Sequence, residues 1–286
     1  MTETGPIIWD ETGAPRSARH GDVYFSADGG LAESRAVFLA GCGLPGAWAR
    51  RRRFTVGEIG FGTGLNIAAL LALWRQEKPP GGRLSIFSIE ADPLSAADAR
   101  RALAQWPELA EITDTLAARW PGRARGLHRV DLPEFSATLD LYVGEAAEAL
   151  AEWRGRADAW FLDGFSPALN PEAWRDEVLG LVGARSASGA RAATFTVAGA
   201  VRRGLESAGF TVEKAPGFGR KRQRLEARFP GVAAEAATPD VAIIGAGIAG
   251  ACVARALAAL GLNATVHDAF GRGAGASGKS AALVNL

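Results

Sequence analysis

Three acidic residues stand where strand-like runs give way to turns, and their placement suits a cationic ligand. The run Glu58-Ile59-Gly60-Phe61-Gly62-Thr63-Gly64 closes an apolar stretch at residues 54–59 and opens a helical pattern at 66–74. Glycines here let the backbone turn sharply and approach a ligand with no Cβ in the way. Such spacing also occurs in dinucleotide folds, so the acid before the first glycine matters. Glu58 repels a pyrophosphate but answers the cationic aminoacyl part of S-adenosylmethionine. Glu90 closes the next strand-like run, residues 84–90, where a carboxylate accepts from both ribose hydroxyls. Gly144-Glu145 follows the run 139–143 and points Glu145 to the adenine amino group. With Gly60, Phe61, Gly62, Thr63, Gly64 and Asn66, these acids form the expected cofactor set. A competing reading makes them helix caps or loop charges. The two readings separate on whether the carboxylates face one crevice.

The segment Ala157-Asp158-Ala159-Trp160-Phe161-Leu162-Asp163-Gly164-Phe165-Ser166-Pro167 carries the chemistry. An apolar strand delivers Asp163 to the ligand edge, and Gly164 lets the chain turn away. Phe165, Pro167, Leu169 and Pro171 make a stiff apolar wall, with Asn170 as a polar contact. Methyl transfer from a sulfonium to an amine needs a free lone pair in line with the breaking bond and an acceptor for the released proton. Asp163 is the candidate for orienting the amine and taking that proton. The alternative is an aspartate that caps its own loop.

The elements around these residues alternate between strand and helix, which predicts a mainly parallel sheet covered on both faces. Helical patterns are expected at 66–74, 93–106, 146–153, 172–181 and 201–208, and through most of 107–131. Strands are expected at 54–59, 84–90, 139–143, 157–162 and 191–197, with an antiparallel edge ribbon from 210–214 and 223–229. The fold class is therefore α/β, of the Rossmann-like class I methyltransferase kind. With 32 basic and 31 acidic residues, bulk charge selects no partner, so any nucleic-acid surface must come from local clustering. Arg202 and Arg203 form one cluster, and Arg220, Lys221 and Arg222 a second. Arg119, Arg123, Arg125 and Arg129 form a third, and all are candidates for phosphates of a folded RNA. The plain alternative is solvated surface arginine. Two cysteines exclude a disulfide scaffold. The absence of a signal-like start and of a long uncharged apolar run predicts a soluble, cytoplasmic monomer with no membrane or DNA partner. No metal constellation is expected.

These motifs together resemble the bifunctional MnmC family of tRNA 5-methylaminomethyl-2-thiouridine biosynthesis proteins. The resemblance rests on Trp9-Asp10 with Pro15, Asp22-Val23-Tyr24-Phe25-Ser26, residues 57–66, Trp106-Pro107-Glu108-Leu109 and residues 160–171 with Trp174. It continues through Thr194-Phe195-Thr196, Val201-Arg202-Arg203-Gly204-Leu205, Gly209-Phe210 and residues 217–222, and so runs over residues 7–229. It implies N-methylation of 5-aminomethyl-2-thiouridine at the tRNA wobble position with S-adenosylmethionine as donor. By it Asp163 is catalytic, Gly60, Gly62, Gly64, Glu58 and Glu90 hold the cofactor, and Tyr24 lines the substrate pocket. Two departures stand out. Leu169 replaces a lysine usual in the family, and Glu145 replaces an aspartate. The competing functions are methylation of another amine and a catalytically silent tRNA-binding module.

A second glycine motif, Asp240-Val241-Ala242-Ile243-Ile244-Gly245-Ala246-Gly247-Ile248-Ala249-Gly250, follows an alanine-rich stretch. Gly245, Gly247 and Gly250 suit a pyrophosphate at a helix N-terminus, and Asp268 suits an adenosine ribose. The expected organisation is a methyltransferase domain at 1–229, a linker at 230–238 and a truncated FAD-binding fragment at 239–286. In the resembling family a complete second domain is an FAD-dependent oxidoreductase. Here FAD is not expected to be retained.

Overall fold

Strand β3 (Arg53–Ile59) shows why the central strands read as apolar runs. It pairs in parallel with β4 (Arg83–Glu90) on one side and β7 (Ala157–Leu162) on the other. Both of its edges are therefore paired, and apolar clusters cover both of its faces, so Val56, Gly57, Glu58 and Ile59 are all buried. Gly57 lies opposite Trp160 of β7, and a Cβ there would drive into the indole, so the pairing requires glycine.

The computed structural model describes residues 6–11, 13–25, 29–219, 221–234 and 239–279. Contacts divide the chain into two units, Met1–Ala234 and Glu235–Leu286. The first begins with a short antiparallel pair, β1 (Ile7–Trp9) and β2 (Pro15–Ser17). Helix α1 (Gly30–Ser34) runs on into a π-helical turn, Arg35–Ala40. After β3 come α2 (Leu65–Glu77), β4, α3 (Ala96–Leu103), α4 (Ala110–Ala118), β5 (Gly126–Leu132) and β6 (Ala137–Val143). Then follow α5 (Ala146–Glu152), β7, α6 (Asp176–Ala184), β8 (Ser186–Thr194), α7 (Gly199–Ser207), β9 (Thr211–Pro216) and β10 (Gln223–Arg228). The eight-stranded sheet has the order β5-β6-β4-β3-β7-β8-β10-β9. Its centre is parallel, while β5 pairs antiparallel with β6, and β10 antiparallel with both β8 and β9.

Two apolar layers sandwich this sheet. On one face α2 is buried along Leu65–Leu71 and at Trp74, packed with Phe38, Trp48, Ile112 and Leu116. A helix apolar on nearly every side belongs inside. On the other face Val178, Leu179, Val182, Val201 and Leu205 of α6 and α7 pack on Trp160, Leu162 and Phe87. Fully burying one such side chain contributes about 1.5–3 kcal/mol.

The edge ribbon forms, with β10 inserted between β8 and β9. Residues 107–131 depart from the helical expectation. Only Pro107–Leu109 and α4 are helical, and Gly126–Leu132 is a strand. Its alternation exposes Leu127, Arg129 and Asp131 and buries Val130 and Leu132, the period of a half-covered edge strand. Helix α3 is shorter than 93–106, because Ser95 caps it by accepting from the Asp98 N–H. Strand β8 lies earlier than 191–197. Helix α6 begins later than 172, behind a 3-10 turn at Pro171–Trp174. Ahead of β3, α1 and its π turn send Leu31, Val37, Phe38 and Leu39 into the core.

The second unit pairs β11 (Val241–Ile244) in parallel with β12 (Ala264–His267) through α8 (Ile248–Ala259). Among the described residues no helix is long and apolar enough to cross a membrane.

Candidate active site

From β3 the chain moves first to β4 and β6 on one side and later to β7 and β8 on the other. A crevice is expected where the strand order reverses, at the carboxyl ends of β3 and β7. The loop after β3 fills that position. Gly60, Gly62 and Gly64 all have positive φ, at 93°, 52° and 78°. The Gly60 N–H donates to Ile89 O at 2.9 Å, and the Asp163 N–H donates to Ile59 O at 3.0 Å. A Cβ on Gly60 would stand 2.5 Å from the Asp163 carbonyl oxygen, so both geometry and space demand glycine. Glu90 ties the loop down from β4. Its Oε2 accepts from the Gly62 N–H at 2.8 Å and its Oε1 from the Asp92 N–H at 2.9 Å. A carboxylate has about four acceptor positions, so Glu90 keeps capacity for a ligand's hydroxyls.

These strand ends enclose a cavity of about 540 Å³, within the usual range for a ligand pocket. Gly60, Phe61, Gly62, Thr63, Asn66, Glu90 and Glu145 are among its lining residues. Glu145 stands at the N-cap of α5 without a side-chain capping bond, which leaves its carboxylate uncommitted to the helix. Gly64 caps the start of α2 behind this lining. Glu58 differs from the sequence expectation. It is absent from the lining and fully buried beneath the loop, where the Ser88 hydroxyl donates to its Oε2 at 2.5 Å. Burial, followed by the charges of Asp163 and Glu90, pushes its carboxyl up to about 8, against the Ser88 and Asn66 hydrogen bonds. It makes no contact with the cavity. Because β3 is central, the strand that presents the loop also seals this acid underneath.

Tyr24, Phe165, Asn170 and Lys221 line the same cavity, and the Tyr24 ring lies against the loop, 3.1 Å from where a Cβ on Gly62 would stand. The Tyr24 ring meets Phe165 edge-on at 5.3 Å, and His20 lies 5.2 Å from the same ring. Burial, then Glu90, Asp92 and Asp98, hold the Tyr24 hydroxyl well above its ordinary value, so it stays a neutral donor. The chain before α1 is pinned to the loop after β7, because Asp22 Oδ2 accepts from the Ser166 N–H at 2.9 Å. Pro167 belongs to that loop but is not part of the lining.

Asp163 itself lines the cavity at the end of β7. Asn66 Nδ2 donates to its Oδ2 at 2.7 Å, and the Ser34 hydroxyl donates to Asn66 Oδ1 at 2.6 Å. Burial pushes the Asp163 carboxyl up to about 8, with Glu33 and Asp22 adding to the rise while Asn66 and Lys221 oppose it. The Lys221 ammonium donates to Glu33 Oε1 at 2.8 Å and sits 4.2 Å from the Phe195 ring centroid. Glu33, Ser34, Asp22, His20 and Phe195 were not singled out as site residues from sequence. The helical spacing of Leu31, Ser34 and Phe38 is the available signal for Ser34, since it predicts one inward face, and it does not include Glu33.

The other candidate basic residues that the structure describes are absent from the cavity lining, and four of them are partnered. Arg119 pairs with Glu134 at 2.5 Å, Arg125 with Glu148 at 2.6 Å and Arg129 with Asp140 at 2.7 Å. Arg202 pairs with Glu206 at 2.9 Å on the surface of α7. Arg203 and Arg222 are exposed and outside the cavity lining. Arg220 lies outside the described residues.

In the second unit Gly245 has φ 102°, and Gly247 is the N-cap of α8. Gly250 lies so close to the Gly245 carbonyl that a Cβ there would collide with it. Asp268 Oδ2 accepts from the Ala246 N–H at 2.7 Å and Oδ1 from the Phe270 N–H at 2.8 Å. These bonds hold its carboxyl below the ordinary value. A glycine turn before a helix, with an ionised acid on the next strand, fits a dinucleotide's pyrophosphate and ribose.

Residues 107–230 match a family described as S-adenosyl-L-methionine-dependent methyltransferase, and residues 240–286 match FAD dependent oxidoreductase. The chain is 66% identical over 284 residues to the tRNA 5-methylaminomethyl-2-thiouridine biosynthesis bifunctional protein MnmC of Caulobacter vibrioides, covering 99% of this chain and 48% of that protein. The protein of the same name from Maricaulis maris is 49% identical over 282 residues, covering 97% and 48%. The chain thus spans about half the length of the curated relatives it matches. A crystal structure of MNMC2 from Aquifex aeolicus superposes with a TM-score of 0.63 at 26% identity, covering 82% of this chain and 74% of that one.

Proposed function

Because the chain belongs to the MnmC family along the residues it shares with these relatives, we propose that it methylates the amine of 5-aminomethyl-2-thiouridine at the tRNA wobble position. In this reading residues 1–229 are the methyltransferase domain, 230–238 the linker and 239–286 the start of an FAD-binding domain. The observation that carries it is one cavity shared by the Gly60–Gly64 loop, Glu90 and Asp163. S-adenosylmethionine, when bound, supplies a methyl group on a cationic sulfur. The glycine cradle, the spare acceptor capacity of Glu90 and the acidic surroundings all suit that ligand.

The chain's own residues then handle the amine. Phe165, Tyr24 and Asn170 wall the space in which the aminomethyl group enters, and exclude water from it. The nitrogen lone pair forms the new N–C bond as the S–C bond breaks, and the nitrogen must lose a proton. Asp163 accepts that proton. Burial favours its protonated form, pushing the carboxyl up to about 8. A cationic ligand beside it favours the carboxylate and so prepares the acceptor. The whole arrangement supplies orientation and proton acceptance, with the donor's leaving group providing the driving force.

The test is mass analysis of wobble nucleosides after incubation of the protein and S-adenosylmethionine with tRNA carrying 5-aminomethyl-2-thiouridine. The expected result is a gain of one methyl at that nucleoside. No gain on this tRNA, with transfer to a free small amine, would assign the site to another amine substrate.

A further inference from the structure

Asp163 is a buried carboxyl surrounded mostly by other acids. Glu33 and Asp22 face it from the segments before the π turn, Glu58 lies beneath it on β3, and Lys221 is the cation that opposes them. A proton acceptor in such a place needs a neutral donor aimed at it, or the charged form is suppressed. One side of that need is met by a chain of two buried side chains. Ser34 is 2% exposed and Asn66 6%. The Ser34 hydroxyl donates to Asn66 Oδ1, and Asn66 Nδ2 donates to Asp163 Oδ2.

An asparagine amide has an acceptor end and a donor end, so each contact constrains the other. With the Ser34 hydroxyl donating to Oδ1, the amide is held with Nδ2 toward Asp163. One carboxylate oxygen is thereby occupied and the range of possible Asp163 orientations is narrowed. We propose that Ser34 and Asn66 are positioning residues for methyl transfer, holding Asp163 by its Oδ2 so that Oδ1 is the oxygen that takes the amine proton. This rests on the reading of Asp163 as proton acceptor. It also assigns Asn66, expected from sequence in the cofactor set, to Asp163, to which its amide donates. Both residues come from the ends of helices that pack together, Ser34 from α1 and Asn66 from the first turn of α2. Their alignment is therefore set by core packing rather than by a mobile loop.

The experiment measures single-turnover methyl transfer against pH, with S-adenosylmethionine and tRNA bearing 5-aminomethyl-2-thiouridine both saturating. The variants are Asn66→Leu, Ser34→Ala and Asp163→Asn. Loss of the donor removes a bond to a charged group, so the acid limb for Asn66→Leu moves to higher pH. Its rate at pH 7 falls about tenfold, the lower end of such bonds, and recovers toward wild type in alkali. Ser34→Ala shifts in the same direction by a smaller amount, because its amide partner is free to turn over. S-adenosylmethionine affinity, measured separately by calorimetry, stays within about threefold for both, as expected of a step-selective effect. A profile lowered equally at every pH, or left unchanged, overturns the inference and leaves Asn66 as a packing or cofactor contact. If Asn66→Leu does not fold by circular dichroism, Ser34→Ala decides alone, and no shift in it overturns the inference. Wild-type rates for Asp163→Asn would remove the reading of Asp163 and this inference with it. A slow Asp163→Asn beside unshifted Asn66 and Ser34 variants would sink the inference only.

Discussion

At the scale of single residues, the role proposed for Asp163 sets its environment against its task. Burial favours the neutral acid, while proton acceptance requires the anion. Asn66, Lys221 and a bound cation shift the balance toward the anion, and Glu33 and Asp22 shift it back. Asp163→Asn retains the size and part of the hydrogen bonding but removes the basicity. The expected loss in single-turnover rate is roughly 10²–10⁴-fold, the usual range for a positioned acid or base, with both substrates still bound. A rate within about threefold of wild type would reduce Asp163 to a loop anchor. Glu58 shows the same physics without the contact. It is an acid fully buried under the loop and held by Ser88, and the sequence pattern that drew attention to it does not place it in the cavity.

At the scale of elements, the basic clusters separate by what surrounds each one. Arg119 at the end of α4 and Arg129 on β5 each have a carboxylate within hydrogen-bond distance, as does Arg125 between them. Each pair is locally neutral, and the carboxylate repels a phosphate that approaches the arginine. Lys221 belongs to the cavity rather than to a surface patch. Its ammonium stands in the cavity that also holds Leu169, the position where the resembling family carries a lysine. Replacing Arg203 and Arg222 by glutamate should therefore weaken tRNA binding and lower its salt slope by about one for each phosphate that is no longer neutralised. Replacing Arg119, Arg125 and Arg129 should change the slope little. Filter binding across a salt series measures both, and the reverse ranking would place the RNA on the β5 edge instead.

At the scale of the first unit as a whole, the buried acids make stability depend on pH. Glu58 moves from 4.5 to about 8, and Asp163 from 3.8 to about 8. Each binds its proton more tightly folded than unfolded. Their contribution to stability is therefore complete below the unfolded values and is lost as pH rises through the folded ones. The urea midpoint of the ligand-free protein should fall between pH 5 and pH 8, with an unchanged slope against denaturant. The Glu58→Gln, Asp163→Asn double variant should lose much of that decline. S-adenosylmethionine should restore the midpoint most at the alkaline end, where the site is anionic. A wild-type midpoint that falls across this window no more than the double variant's would show that these two acids are not buried together in solution.

The sequence by itself determined the layered α/β fold, because strands buried on both faces must be apolar throughout and the helices between them must carry an apolar face. It also determined the strand-end acids and the glycine loop, since a turn at positive φ restricts the residue regardless of what lies far along the chain. Gly60, Gly62 and Gly64, Glu90 and Asp163 were legible for that reason, as was the antiparallel ribbon at the sheet edge. The strand at Gly126–Leu132 was not, because a half-covered edge strand and a solvated helix offer similar polar composition and differ only in period. What only the tertiary structure decided was which side chains meet across sequence distance. Ser34, Asn66 and Asp163 come from α1, α2 and the end of β7, and nothing local marks them as a chain of donors and acceptors. Glu58 and Glu90 look alike as acids at strand ends, yet one is sealed under the loop and the other opens into the cavity. Lys221 and Arg222 are neighbours, yet one enters the cavity with Glu33 and the other stays outside its lining. Charge and spacing specify which residues can act, while burial and partner geometry, set by the packing of helices on both sheet faces, specify which of them do.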